Sequence, residues 1–213
     1  MYQLFYYPGK ANLAPHMLLE EIGAPYELVL VDTDSNAQNS PEYLKLNPQG
    51  RIPTLIDGDF VLSETAAICL HLADRHPEAG LAPLLGTTQR AAFYQWLMYL
   101  TNTLQVELIT YFYPHRWADD EAMAERVKAH AEARIGGMLD LIETKLANQD
   151  GPYLLGEHYS AVDPFLLMLA RWTRGMQHPA RKRPCFGRYL ESIAARPAIR
   201  RAFAGEELLA PFF

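Results

Sequence analysis

The first third of the chain alternates between the two-residue period of strands and the 3.6-residue period of helices. Residues 3–7 are short, aromatic and closed by Pro8-Gly9, which predicts a strand entering a turn. Over 14–22 the apolar positions Ala14, Met17, Leu18 and Ile22 fall on one helical face, and Gly23 supplies a stop. Residues 26–31 read as a second strand, whose run Leu28-Val29-Leu30-Val31 suits a buried position. Ser40-Pro41-Glu42 opens a short helix, with Ser40 as N-cap and Pro41 at its first position. Thr54-Leu55-Ile56 and Phe60-Val61-Leu62, set around Asp57-Gly58, predict a hairpin. Ser63-Glu64-Thr65 then starts a helix that Pro77 ends.

The order β-α-β-α-β-β-α allows the first two strands to pair in parallel through a helical crossover and forces the last two to be antiparallel. After a Pro/Gly/Leu linker at 78–87, every signal is helical. Residues 89–112 and 120–147 form long amphipathic segments. Ser160-Ala161-Val162-Asp163 has the spacing of a capping box, with Ser160 accepting from the amide three residues on and Asp163 reaching back. Further helices follow from Phe186 and after Pro197. The expected organisation is an α+β domain at 1–77, with a mixed sheet, then an all-α domain at 88–213.

Composition narrows the function classes. About half of the 213 residues are apolar and 21% are charged, ordinary for a protein with a proper core. No run approaches the roughly 18 apolar residues of a membrane span, and Met1-Tyr2-Gln3-Leu4-Phe5 does not begin a secretory signal. The expected location is the cytoplasm. Cys69, in an apolar helical run, and Cys185 are too far apart to form a disulfide framework, and both read as reduced thiols. A net charge of −6 disfavours nucleic-acid binding. One basic stretch, Arg171, Arg174, Arg181, Lys182, Arg183 and Arg188, reads as a solvated face or as an attractor of anionic substrates. The seven histidines show no metal-ligand spacing, so no metal site is expected.

The segment Asn47-Pro48-Gln49-Gly50-Arg51-Ile52-Pro53-Thr54 carries the chemistry. A proline entering a strand directly after a βαβα pattern resembles the thioredoxin fold, which implies a cis Ile52–Pro53 bond and an Ile52 backbone free to pair with an extended peptide. Eleven residues on, Glu64-Thr65 stands at a helix start, where free amides suit a carboxylate and Glu64 suits an ammonium group. With the helical second half and the capping box, these motifs resemble the cytosolic glutathione transferase family over nearly the whole chain. Pro8-Gly9, followed by Leu13-Ala14-Pro15-His16, is most similar to its bacterial beta-type branch. The resemblance implies that Asn12, Arg51, Ile52, Pro53, Glu64 and Thr65 bind glutathione, with Ile52 on the cysteinyl backbone and Glu64-Thr65 on the γ-glutamyl end. The lesser reading of Glu64 is a carboxylate placed at a helix start because the dipole favours it there. A homodimer is also implied.

The chain departs from that branch where its chemistry occurs. Ala11-Asn12 stands where beta-type proteins carry Cys-Ser, and Gln105 stands for an expected histidine. The zeta-type serine-cysteine motif is absent as well. The favoured group to activate the thiol is the Asn12 side-chain amide, which otherwise suits a helix cap. Tyr6 comes second, and otherwise reads as a core aromatic. A pocket for the acceptor is expected between the domains, with Gln105, Tyr113 and Trp117 as contacts drawn from the cluster of Tyr111, Tyr113, His115 and Trp117, although aromatics at this spacing also fill cores. The expected activity is conjugation of glutathione to small hydrophobic electrophiles. The rivals are glutathione-dependent disulfide or peroxide reduction, and a non-catalytic binding protein that kept the fold.

Overall fold

Four short strands make one sheet in the order β2-β1-β3-β4, with β1 at Tyr2–Tyr6, β2 at Tyr26–Leu30, β3 at Thr54–Asp57 and β4 at Phe60–Ser63. The computed structural model describes residues 1–213. β1 and β2 pair in parallel across helix α1 (Leu13–Ile22), while β3 runs antiparallel to both β1 and β4. With α2 (Pro41–Leu46) and α3 (Thr65–Arg75), this is the expected βαβαββα order. The period of two places Tyr2 and Leu4 on one face of β1, and both are buried. The Tyr2 hydroxyl meets His76, just past α3, at 3.0 Å, so α3 covers this face together with α1, which packs on it. Phe5 points the other way and meets Tyr43 of α2, their ring centroids 5.8 Å apart.

Local chemistry sets the element ends. The Ser40 hydroxyl accepts from the Tyr43 amide at 3.2 Å, with Pro41 at the first helical position. Gly23 stops α1 with φ +71 while its amide returns to the Leu19 carbonyl at 2.9 Å. Two expectations change. The β2 run is not a buried strand: β2 is an edge, and Leu30 is 57% exposed, because burial depends on sheet order rather than on the run itself. The hairpin turn also sits one residue later than expected. Asp57 pairs with Phe60, so Gly58-Asp59 make the turn, with Gly58 at φ +62.

The helical segment after the linker starts with α4 (Thr88–Tyr99) and α5 (Gln105–Phe112). The expected single helix over 89–112 is interrupted by five residues of π-helix, Leu100–Leu104. The long α6 (Glu121–Ala147) packs on α5, burying Ala124, Ala131, Ile135, Leu139 and Ile142 at spacings of one or two turns. Every residue of α7 (Val162–Trp172) from Val162 to Arg171 is buried, which makes it the central helix of this unit. α8 (Pro184–Ala194) follows, then α9 (Pro197–Gly205).

The capping box ahead of α7 forms by half. Asp163 reaches back to the Ser160 amide at 2.8 Å as expected, but the Ser160 hydroxyl turns to the Asp163 carboxyl at 3.4 Å instead of capping an amide. The same carboxyl also receives the Leu154 amide at 2.9 Å and the Tyr189 hydroxyl at 2.8 Å. Asp163 is thus the buried knot of this unit rather than only a cap.

The chain folds into one compact unit of Met1–Pro83 with Ala194–Phe212, and a second of Leu84–Ile193 with Phe213. These units differ from the expected division into 1–77 and 88–213 in placing the end of the chain with the first. The reason is α9, which returns to pack on α1. Arg196 holds Glu21 at 2.6 Å and Arg201 holds Glu20 at 2.5 Å. Within the linker, Leu81 is buried while Leu84 and Leu85 are largely exposed. No helix is long and apolar enough to cross a membrane.

Candidate functional site

Two side chains from α2 and its end build the segment that enters β3. Asn47 Nδ2 donates to the Arg51 carbonyl at 2.7 Å, and its Oδ1 accepts from the Gln49 amide at 3.1 Å. The Tyr43 hydroxyl donates to the same carbonyl at 2.7 Å, which leaves the Thr54 hydroxyl to donate to Tyr43 at 2.9 Å. Gly50 turns the chain at φ +60, which strains any other residue, and a Cβ there would also press on the Gln38 carbonyl at 3.3 Å and displace the Asn39 side chain. The Ile52–Pro53 bond is cis. The sheet ladder ends at Thr54, so the Ile52 amide and carbonyl lie outside it. Arg51 is exposed, Ile52 half-buried and Pro53 buried. Tyr43 was not among the expected site residues. The one signal for it was a tyrosine among the first residues of α2, whose hydroxyl needs a partner once its ring is buried.

Glu64 and Thr65 start α3. Glu64 has φ +72 and ψ +115, a region that costs a non-glycine residue about 1–3 kcal/mol. Its exposed side chain does not cap the helix and instead receives Gln49 Nε2 at 3.4 Å. The first α3 hydrogen bond runs from the Ile68 amide to the Glu64 carbonyl. The amides before it are the unpaired donors of a helix start, beside an exposed carboxylate. Gln49 thereby joins the grip segment to Glu64.

The loop between β1 and α1 differs from expectation. Asn12 is fully buried. Its Oδ1 accepts from the Tyr7 amide at 3.2 Å and its Nδ2 donates to Glu206 at 2.9 Å. It is neither a donor facing a ligand nor a helix cap, since its side chain makes no cap bond. It braces the loop from beneath, because a buried amide must find partners inside the protein. Glu206, just past α9, also receives the Gly9 amide at 2.8 Å and faces His16 Nδ1 at 2.9 Å. Nothing local in the sequence pointed to Glu206.

Tyr6, the second candidate, is half-buried, and its hydroxyl makes no hydrogen bond within the protein. Burial, followed by the charges of Glu206 and Glu207, raises its pKa above the usual phenol value, so it keeps its proton and can donate it in a hydrogen bond. Its neighbour Tyr7 is pushed up to about 12, first by its bond to the Asp34 carboxylate, and is engaged there.

The remaining candidates lie in the second unit. Gln105 opens α5 directly after the π segment, and its Oε1 receives the Thr101 hydroxyl at 3.4 Å. Tyr113 ends α5 under Arg116, whose guanidinium carbon lies 4.5 Å from the ring centroid. Tyr113 and Trp117 are nearly half exposed, so they are not core aromatics. Tyr111 packs against Phe112 and under Lys128.

The basic stretch is not one solvated face. Arg171 is buried, and each guanidinium nitrogen of Arg183 is bonded, to Asp140, to the His178 and Pro179 carbonyls and to the Gly136 carbonyl. Cys69 is the expected buried hydrophobe, its thiol pushed far up by burial.

Comparison with known proteins places this geometry. Residues 1–74 match the family model for the glutathione S-transferase N-terminal domain, and residues 104–204 match one for the C-terminal domain. Glutathione S-transferase 3 of Zea mays is 31% identical over 91% of this chain and 89% of its own length. A crystal structure of a glutathione transferase homologue from Sulfitobacter with bound glutathione superposes with a TM-score of 0.88 at 30% identity, over 98% of this chain and 99% of that one. A bacterial beta-class enzyme from Sphingomonas chungbukensis gives a TM-score of 0.83 at 28% identity, over 97% of this chain and all of its own.

Proposed function

This chain belongs to the glutathione S-transferase family, and from that premise we propose that it conjugates the thiolate of glutathione to small hydrophobic electrophiles. The observation that carries the reading is the pairing of two features on one unit: the Ile52 backbone left outside the ladder, and the exposed Glu64 carboxylate held at a strained start of α3. An extended peptide paired with Ile52 adds a short strand. The unpaired α3 amides with Thr65 receive its α-carboxylate, Glu64 receives its ammonium group, and Arg51, exposed next to Ile52 in the chain, adds a cation to the grip.

The thiol then needs a donor, and Tyr6 takes the place first given to Asn12. A hydrogen bond to a charged sulfur contributes about 1.5–3 kcal/mol, which lowers a thiol pKa by about one to two units. That suffices to populate the thiolate near neutral pH. The thiolate attacks the electrophilic carbon, and either the leaving group departs or the adduct takes up a proton. Gln105, Tyr113 and Trp117 are the acceptor contacts in this reading, with exposed aromatic surface suited to apolar substrates. The protein works as a homodimer in the cytoplasm, where thiols stay reduced, and needs no metal.

Titration calorimetry with glutathione tests the grip: no heat at millimolar ligand would sink the reading. A panel of halo-aromatics, enones, hydroperoxides and disulfides then tests the reaction. Turnover of the first two alone supports conjugation, and turnover of the last two alone means glutathione-dependent reduction. Binding without turnover of any of them means a binding protein.

A further inference from the structure

Beneath the loop between β1 and α1 lies a chain of polar groups that is fully buried at its inner end. His16 and Glu206 both have side chains with no exposed surface, with His16 Nδ1 2.9 Å from Glu206 Oε1. His16 Nε2 lies 3.0 Å from the Tyr26 hydroxyl, which in turn donates to Glu20. Arg201 of α9 holds the far side of Glu20 at 2.5 Å.

The donor and acceptor roles along this chain bear on its charge. Burial acts against the Glu20 carboxylate, but Tyr26 and Arg201 outweigh it and hold its pKa below the usual range, so Glu20 only accepts. Burial, then Glu20, raises the pKa of Tyr26, so Tyr26 carries one proton, and that proton goes to Glu20. His16 Nε2 therefore has to donate to Tyr26. A further proton lies in the contact between His16 Nδ1 and Glu206. Glu206 already accepts N–H bonds from Gly9 and Asn12, which favour its ionised form, so that proton belongs to the imidazole.

We infer that His16 is a fully buried imidazolium paired with the Glu206 carboxylate, and that this pair positions the Pro8–Asn12 loop on which thiol activation depends. His16 acts on no substrate; it is a positioning residue, and so is Glu206. The pair carries one charge of each sign, so it closes without net charge in the interior. Glu206 turns that pair into loop geometry through its bonds to Gly9 and Asn12. The end of α9 seals the site, since a Cβ on Gly205 would stand 3.1 Å from His16 Cε1 and 3.4 Å from Nε2. The ionisable groups that face His16 are Tyr26 on β2 and Glu206 past α9 by direct contact, and Glu20 on its own helix, with Arg201 of α9 behind Glu20. The functional half of this inference rests on the proposed glutathione reading, while the protonation state does not.

Long-range proton–nitrogen spectra of the uniformly labelled full-length protein test it. At pH 7.5, one of the seven histidines should show both ring nitrogens protonated, and His16→Gln should remove that signal. A neutral His16 at this pH overturns the inference. Glu206→Gln keeps an acceptor for the loop but removes the charge. In it His16 should be neutral at pH 7.5, the Gly9 amide proton should move upfield, and the thiol of bound glutathione should ionise at higher pH. A Glu206→Gln protein that retains the imidazolium, or whose Gly9 resonance stays in place, overturns it as well. So does a bound thiol that ionises as in the parent protein. If the parent protein fails to bind glutathione while the histidine and Gly9 signals behave as expected, the pair and its hold on the loop stand and the proposed function falls.

Discussion

Tyr6 and Asn12 exchange roles once burial is known. Asn12 has a suitable donor at a suitable place in the sequence, yet both ends of its amide are occupied inside the protein. Tyr6 keeps an unoccupied hydroxyl with its proton retained. Tyr6→Phe should therefore raise the pKa of the bound thiol by about one unit or more, read from the pH dependence of thiolate absorbance. Asn12→Ala should lower stability by about 1–3 kcal/mol by removing the acceptor of the Tyr7 amide and one of the two donors to Glu206 Oε1, read by denaturant unfolding. Equal thiol pKa values in Tyr6→Phe and the parent would remove Tyr6 from the mechanism. Glu64→Gly separates binding from strain. It should gain about 1 kcal/mol of stability by releasing the +72 φ, while glutathione affinity falls in calorimetry.

At the scale of elements, the starts of α2 and α3 were legible because their determinants are local. Ser40 accepts the Tyr43 amide three residues on, and Glu64-Thr65 stand directly where β4 gives way to α3. The start of α7 was only half legible, because Asp163 answers to Leu154 and Tyr189 as well as to Ser160. Burial pushes the Asp163 carboxyl up to about 6 against the bonds it accepts. Its unfolded value is near 3.9. Between about pH 4 and 6 the folded protein thus holds a proton that the unfolded chain has released. Stability from this group is full below pH 4 and is lost as pH rises through 6, by about 3 kcal/mol. Unfolding free energies measured across that window should show this falling contribution in the parent and its absence in Asp163→Asn. An unchanged slope in the variant would mean that another group titrates there. The π segment at Leu100–Leu104 was not legible at all, since an extra residue in a helical turn leaves the apolar pattern of 89–112 nearly intact.

For the whole molecule, the consequential contact joins Asn12 to Glu206, 194 positions apart. Glu206→Ala removes the acceptor shared by the Gly9 amide, the Asn12 side chain and the buried His16 imidazolium, and should cost about 3–5 kcal/mol. Arg196→Ala breaks an ion pair with Glu21 that is partly exposed, and should cost much less, because solvent screens it. A comparison of denaturation midpoints checks the ranking, and equal losses would contradict the central place of Glu206.

The sequence by itself determined the order of elements, the hairpin, the Ile52-Pro53 and Glu64-Thr65 motifs and the family they resemble. Each of these depends on residues close together in the chain, where periodicity, capping and turn chemistry act. Only the tertiary structure decided that β2 is an edge, that the end of the chain rejoins the first unit, and that Asn12 is a brace while Tyr6 is free to donate. Those outcomes depend on which groups are buried and which distant partner satisfies them, and a carboxylate at position 206 becomes the partner of a loop at 9–12 only after α9 has packed on α1.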